Sequence, residues 1–205
     1  VDLAVNGGVA LNVLDGILVA KGDFDIALGQ VKSAALPSGI GQDADAMTLT
    51  LSNVGFFVGV GGSLTDVGND GDFSNDTVAN GTLGFGATAT SLTLVSLKDR
   101  GTASVGDERS YLGVALDDFD GQLVGLEDLL EFHAYGVDAL LNKAAHADGT
   151  TVVTKLDWST FSSTGLDLTD ALNALNATDL GNLTASVDLA VTGGVALNVL
   201  DGILV

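Results

Sequence analysis

The densest run of potential ligands in this 205-residue chain is Asp66-Val-Gly-Asn-Asp-Gly-Asp-Phe-Ser-Asn-Asp-Thr77. Asp66, Asn69, Asp70, Asp72, Asn75 and Asp76 crowd around Gly68 and Gly71. Hard carboxylate and amide oxygens on a loop that glycine lets bend sharply are the donors Ca²⁺ takes, six to eight at a time. Asp66, Asp70, Asp72, Asn75 and Asp76 are therefore the candidate calcium ligands, and calcium is the one cofactor the sequence suggests. The competing reading is a solvated acidic hairpin loop, because Asp and Asn also favour turns by bonding nearby backbone N–H groups.

The spacing partly resembles an EF-hand-type loop, with Asp66 at position 1, Asp70 at 5, Gly71 at 6 and Asp72 at 7. It departs from that pattern at position 3, which is Gly68, and at position 12, where Thr77 replaces the bidentate Glu. A second acidic cluster, Asp117-Asp118-Phe119-Asp120, reads as a charged rim. On a regular strand Asp118 and Asp120 share a face, opposite Asp117. Arrangements for catalysis are missing: there is no GxSxG, no P-loop and no GxGxxG. His133 and His146 are too few for a metal centre, and Trp158, Tyr111 and Tyr135 are too scattered for a sugar-stacking platform. The chain is read as a non-enzyme. N-x-Thr sequons at Asn75, Asn80, Asn176 and Asn182 would accept glycans in a secreted protein.

Twenty-seven acids against seven Lys and Arg give a net charge of −20. That excludes a phosphate backbone and an anionic membrane surface as partners. Yet 46% of the residues are apolar and the mean hydropathy is +0.42, so the chain is no acidic tail. Cysteine is absent, which removes disulfides and thiolate metal sites. The uncharged stretches 46–65 and 77–97 are rich in Gly, Thr, Ser and Asn and alternate as strands do, so no membrane insertion is expected.

The elements that must position these residues are strands. Met47–Leu51, Leu92–Leu97 and Val187–Val191 alternate with period 2, and Gly/Asp/Asn clusters separate such runs. Ala10–Val19 aligns with Ala115–Val124, which suggests a unit of strand, Gly kink and strand. That alignment assigns Leu126–Ala145 to β despite its helix formers. One short helix is expected near 168–176, with Asp167 or Thr169 as N-cap.

The strongest signal is a duplication. Val1–Val19 reads VDLAVNGGVALNVLDGILV and Val187–Val205 reads VDLAVTGGVALNVLDGILV, differing only at Asn6 against Thr192. The chain is read as one tandem unit, 1–186, followed by the start of the next, 187–205, cut from a longer array. The inter-repeat interface is assigned to Val1, Leu3 and Val5 with Val187, Leu189 and Val191.

Acidic, cysteine-free, lysine-poor repeats of one to two hundred residues, nearly identical in tandem, resemble those of giant bacterial surface proteins. These are adhesin stalks and secreted matrix fibres. The resemblance implies an extracellular or cell-surface location and often rigidification by calcium. The expected fold is all-β, an elongated stack of long strands, either β-solenoid-like or of abutting β-sandwiches. The expected function is a structural repeat of an extracellular fibre or adhesin stalk, stacked end to end by sheet continuation, with neighbouring identical repeats as partners. The alternative is a β-helical module that binds or degrades polysaccharide.

Overall fold

In a computed structural model that describes residues 3–37, 42–101 and 106–200, the alternating segments form one large antiparallel sheet. Its strands are β1 (Leu3–Val13), β2 (Leu18–Lys32) and β3 (Asp43–Val60), then β6 (Leu83–Asp99), β7 (Arg109–Val124), β8 (Leu130–His146) and β10 (Leu189–Val199). They lie side by side in chain order, with β1 and β10 at the two edges. A short pair, β4 (Ser63–Thr65) and β5 (Thr77–Ala79), closes off the β3–β6 connection. The two-residue β9 (Thr164–Gly165) pairs with the end of β2. The inner strands run 15 to 18 residues. At about 3.3 Å per residue they span roughly 50–60 Å. The all-β expectation holds as one open antiparallel sheet with one short helix, and segment 130–146 is strand.

The two faces of the sheet differ. One is covered, and the core lies there. Val31, Ala46, Leu97, Tyr111, Ala115 and Leu140 project from five strands onto Leu156, Trp158, Phe161, Leu175 and Leu183 of the long β8–β10 connection. Gly113 is required under this cover, since a Cβ there would stand 2.9 Å from the Trp158 ring. The helix α1 (Thr169–Leu175) lays Ala171 and Leu175 into the same core. Leu168 occupies its N-cap position, and the Asp167 carboxylate instead accepts the Thr169 N–H at 2.9 Å. Asn142, fully buried, ties the cover to β8. It donates to the carbonyls of Leu156 (2.8 Å) and Thr184 (3.0 Å) and accepts from Trp158 Nε1 (3.1 Å). At the far end of this face the 61–82 connection packs over Phe57 and Val19 through Gly62, and Lys21 Nζ bonds the Ser74 carbonyl at 2.8 Å.

The other face is open. Its residues stand opposite one another in register across the sheet: Val5 faces Ile26 and Ile26 faces Leu49. Leu49 faces Leu94, Leu94 faces Val114, Val114 faces Leu141, and Leu141 faces Leu189. None of these belongs to the buried core, whose strand members all point the other way.

Midway along the strands, backbone irregularities keep polar residues off the open face. Asn53 and Asp118 have φ near +50°, and Gly136 has φ +54°. The β2–β3 and β7–β8 registers shift beside them. Such left-handed residues let two consecutive side chains point the same way. Asp117, Asp118 and Asp120 consequently sit on the covered side together, where a regular strand would have split them. Asp118 accepts the Thr90 hydroxyl, its N–H donates to Asp138, and Asp120 accepts the Gly136 N–H. The two aligned sequence units also fold differently. Leu14–Ile17 reverses the chain between β1 and β2, whereas the matching stretch of β7 only bulges.

Candidate functional site: the two edge strands

The acidic loop is held by its own side chains. Asp66 accepts the Asp70 N–H (3.1 Å), Asp70 the Asp72 N–H (2.8 Å) and Asp72 the Ser74 N–H (2.9 Å). Buried Asp76 accepts the Val67 N–H at 3.2 Å. The bonds from Ser74 hold the Asp72 carboxyl below its ordinary value. Each of these carboxylates thus spends an oxygen on backbone. Among the described residues no three His, Asp or Glu side chains converge on a common point.

Between the two covers runs an acidic belt of Asp117, Asp118, Asp120 and Asp138. Burial, and then the charges of Asp138, Asp118 and Asp179, push the Asp117 carboxyl up. A shallow cleft of about 480 Å³ lies nearby, lined by Asn80, Asp120, Gln122, His133 and Tyr135 among others. His133 pairs with Glu131 at 3.3 Å, and His146 ends β8 beside Asp148 at 3.2 Å. No nucleophile–base–orienter arrangement is formed by these groups. Trp158 and Tyr111 are buried in the core, whereas Tyr135 is exposed at the cleft.

The duplicated segments have a different character. β1 and β10 are the same sequence but for Asn6 and Thr192, and they occupy opposite edges of one sheet. β1 pairs with β2, Leu3 facing Leu28 and Val13 facing Leu18. β10 pairs with β8, Leu189 facing Leu141 and Val199 facing Leu130. One sequence therefore fits two different neighbours. Both copies also begin the same turn, since Leu14 has φ 53° and its counterpart Leu200 has φ 52°.

The backbone shows which side of the strand each neighbour uses. In an antiparallel ladder a residue's N–H and C=O point to one neighbour, and the next residue's to the other. At β10 the Asp188 carbonyl accepts from Asn142 (3.0 Å) and the Leu200 N–H donates to Leu129 (3.0 Å), so even-numbered residues serve β8. At β1 the Val13 carbonyl accepts the Ile17 N–H (3.2 Å) inside the β1–β2 turn. Along β2 the Gln30 carbonyl accepts the Leu166 N–H on the same side as β1 (2.8 Å). That places the even residues of β2 toward β1, and their partners in β1 are the odd ones. The copies are offset by 186 residues, an even number, so the two sets are complementary. The side chains agree as well. Leu3, Val5, Val9 and Leu11 share the open face with Leu28 and Ile26, and Leu189, Val191, Val195 and Leu197 share it with Leu141 and Ala139.

Of the residues assigned to the interface from sequence, Leu3, Val5, Leu189 and Val191 lie on these edge strands and are exposed. Val187 precedes β10 and packs against the core. Val1 lies outside the described residues. The receiving strands β2 and β8 escaped sequence reading, because a repeat period shows what is copied and not what the copy pairs with. Comparison with protein-family models, with curated proteins and with solved structures gave no match.

Proposed function

We propose that the chain is a structural repeat of an extracellular fibre or adhesin stalk, in which the sheet runs unbroken from one repeat into the next. The observation that supports this reading is the double pairing of one strand sequence. Laid on one another, β10 and β1 become a single strand with β8 of one repeat on its even-numbered edge and β2 of the next on its odd-numbered edge. Edge strands are ordinarily an aggregation hazard that proteins blunt with charge, proline or bulges. β1 and β10 carry no charged residue and no proline between their first and last positions. Here the exposed edge is the joint. Each repeat contributes β1, β2, β3, β6, β7 and β8, six strands. At about 4.8 Å per strand the repeat advances roughly 29 Å along the fibre. Acidity and the lack of cysteine support a location outside the cell, where calcium would act as a counter-ion to the net charge of −20.

Small-angle scattering from chains carrying one, two and three consecutive units tests the joint. The maximum dimension should grow by about 29 Å per added unit. Growth by the length of a strand, roughly 55 Å, or a freely jointed profile, would show separate domains strung in a row and overturn the reading.

A further inference from the structure

We infer that the open apolar face of the sheet is covered by the same face of a second copy of this chain, the two sheets packing face to face. The inference stands on that face alone and does not require repeats to join end to end.

The face is large and continuous. Along β3 it runs from Met47 to Val60, and across the sheet from β1 to β10. Successive rows place Phe24 opposite Leu51, Leu51 opposite Leu92 and Leu92 opposite Leu116. Seven strands at about 4.8 Å by about 40 Å of apolar length make roughly 1,300 Å². Monomeric soluble proteins rarely expose an apolar patch beyond about 600 Å². Two such faces together would bury roughly 2,600 Å², within the range of obligate homodimers. The periphery is open already: Val9 is 50% exposed, Val58 48%, Val191 60% and Val195 65%.

Charge selects a second copy as the occupant. A chain of net charge −20 repels itself unless its acids are kept away from the contact. Here they are. The belt of Asp117, Asp118, Asp120 and Asp138 lies on the covered side, and the acidic loop belongs to the cover. Among the described strand residues of the open face, charge is confined to one end, in and beyond the row of Leu28, Met47, Ser96, Leu112 and Lys143. There Asp43 pairs with Lys32 (3.6 Å) and Asp45 with Arg100 (3.0 Å), beside Lys98 and Lys143. An apolar centre with a paired, polar rim is the anatomy of a protein interface. The relief also suits a second sheet. Phe24, Phe56, Phe85 and Phe119 stand among Ala20, Ala87 and Gly121, so knobs alternate with hollows. The face carries neither Trp nor Tyr in a girdle, as a lipid-facing sheet would at its two interfaces.

The test is the mass of the 205-residue chain by sedimentation velocity over a range of concentrations, without detergent. A closed dimer is expected. Edge pairing through β1 and β10 would instead give an open ladder of larger species, so the two contacts are told apart by where growth stops. Leu94→Asp combined with Val114→Asp, at the centre of the face, should yield monomer, while Thr88→Asp on the covered side should leave the dimer intact. Trp158 lies on the other side of the sheet, so its buried emission should persist in each variant and report that the fold survives. If the double variant unfolds, a nitroxide on Leu94→Cys in the otherwise cysteine-free chain replaces it. An immobilised, water-shielded label is expected, against a mobile one on Thr88→Cys. A monomer at every concentration, or a mobile label at position 94, overturns the proposal. So does a monomer that associates only with phosphatidylcholine vesicles, which would make lipid the occupant.

Discussion

Asn142 shows how much of this structure rests on single polar groups. It lies fully buried on β8 and makes three bonds, two to carbonyls of the covering segment and one from Trp158. Removing it strands a buried indole N–H, the buried Leu156 carbonyl and the half-buried Thr184 carbonyl, each costing about 1–3 kcal/mol. Asn142→Ala should therefore lower the unfolding free energy by about 3–4 kcal/mol, read as a fall in the urea midpoint with an unchanged slope. A loss below about 1 kcal/mol would mean that water replaces those bonds. Asp117 acts in the opposite sense. Its carboxyl is pushed up from the ordinary 3.8 by burial first and neighbouring acids second. The folded chain thus holds that proton more tightly than the unfolded chain. The charge opposes folding fully above the raised value, and the opposition fades as pH falls through it toward 3.8. Asp117→Asn should raise stability at neutral pH by about 0.5 kcal/mol, a small gain because the group keeps much of its water. The gain should vanish in melts near pH 3, roughly, and a pH-independent gain would rule out charge as the cause. Neither role was legible in the sequence. Nothing local distinguishes Asn142 from other asparagines, and Asp117 joins Asp118 and Asp120 on one side only because Asp118 is left-handed.

At the scale of elements, period-2 alternation was enough to read strands, and a leucine spacing with a preceding Asp was enough to place the helix. Strand length and pairing were not. The long strands absorb irregular residues such as Asn53 and Gly136 without ending, where a sequence reading sees a turn. Alternation also cannot tell whether a face is covered, since an open apolar face and a packed one look alike along a strand. The edge strands make a prediction that depends on parity alone. Proline removes one N–H, so its effect depends on which neighbour that N–H serves. In β1 the odd residues serve β2 and the even ones point outward. In β10 the even residues serve β8 and the odd ones point outward. Val9→Pro and Ala196→Pro should each destabilise the single unit by about 2–3 kcal/mol. Ala10→Pro and Val195→Pro should cost much less in the single unit. Chemical denaturation of the four variants checks this. Equal losses at adjacent positions would mean that the two strands do not present complementary edges.

At the scale of the whole molecule the duplication suggests a unit that starts again at Val187. It did not reveal that the copies would lie at opposite edges of one sheet, because that requires the six intervening connections to leave the strands in chain order. Once they do, the second copy lies six strands from the first and presents its free edge outward. Stability should then depend on how many units are joined. A quasi-one-dimensional array gains an interface term with each added neighbour and none for its ends. In a single unit β1 and β10 each have one edge that no described strand pairs with. In two joined units a shared strand is hydrogen-bonded on both sides, and only two free edges remain for twice the sheet. The thermal midpoint should rise from one unit to two, and rise again by a smaller step from two to three. The transition should also sharpen as the units melt together. Independent domains behave otherwise, with one midpoint and one width whatever the number joined. Calorimetry on chains of one, two and three units separates the cases. Inserting Val195→Pro at the joint of the two-unit chain should return it to the single-unit midpoint, because that residue's N–H is the one the next β2 would engage. A midpoint that ignores both the added unit and the proline would mean that the sheet stops at β10.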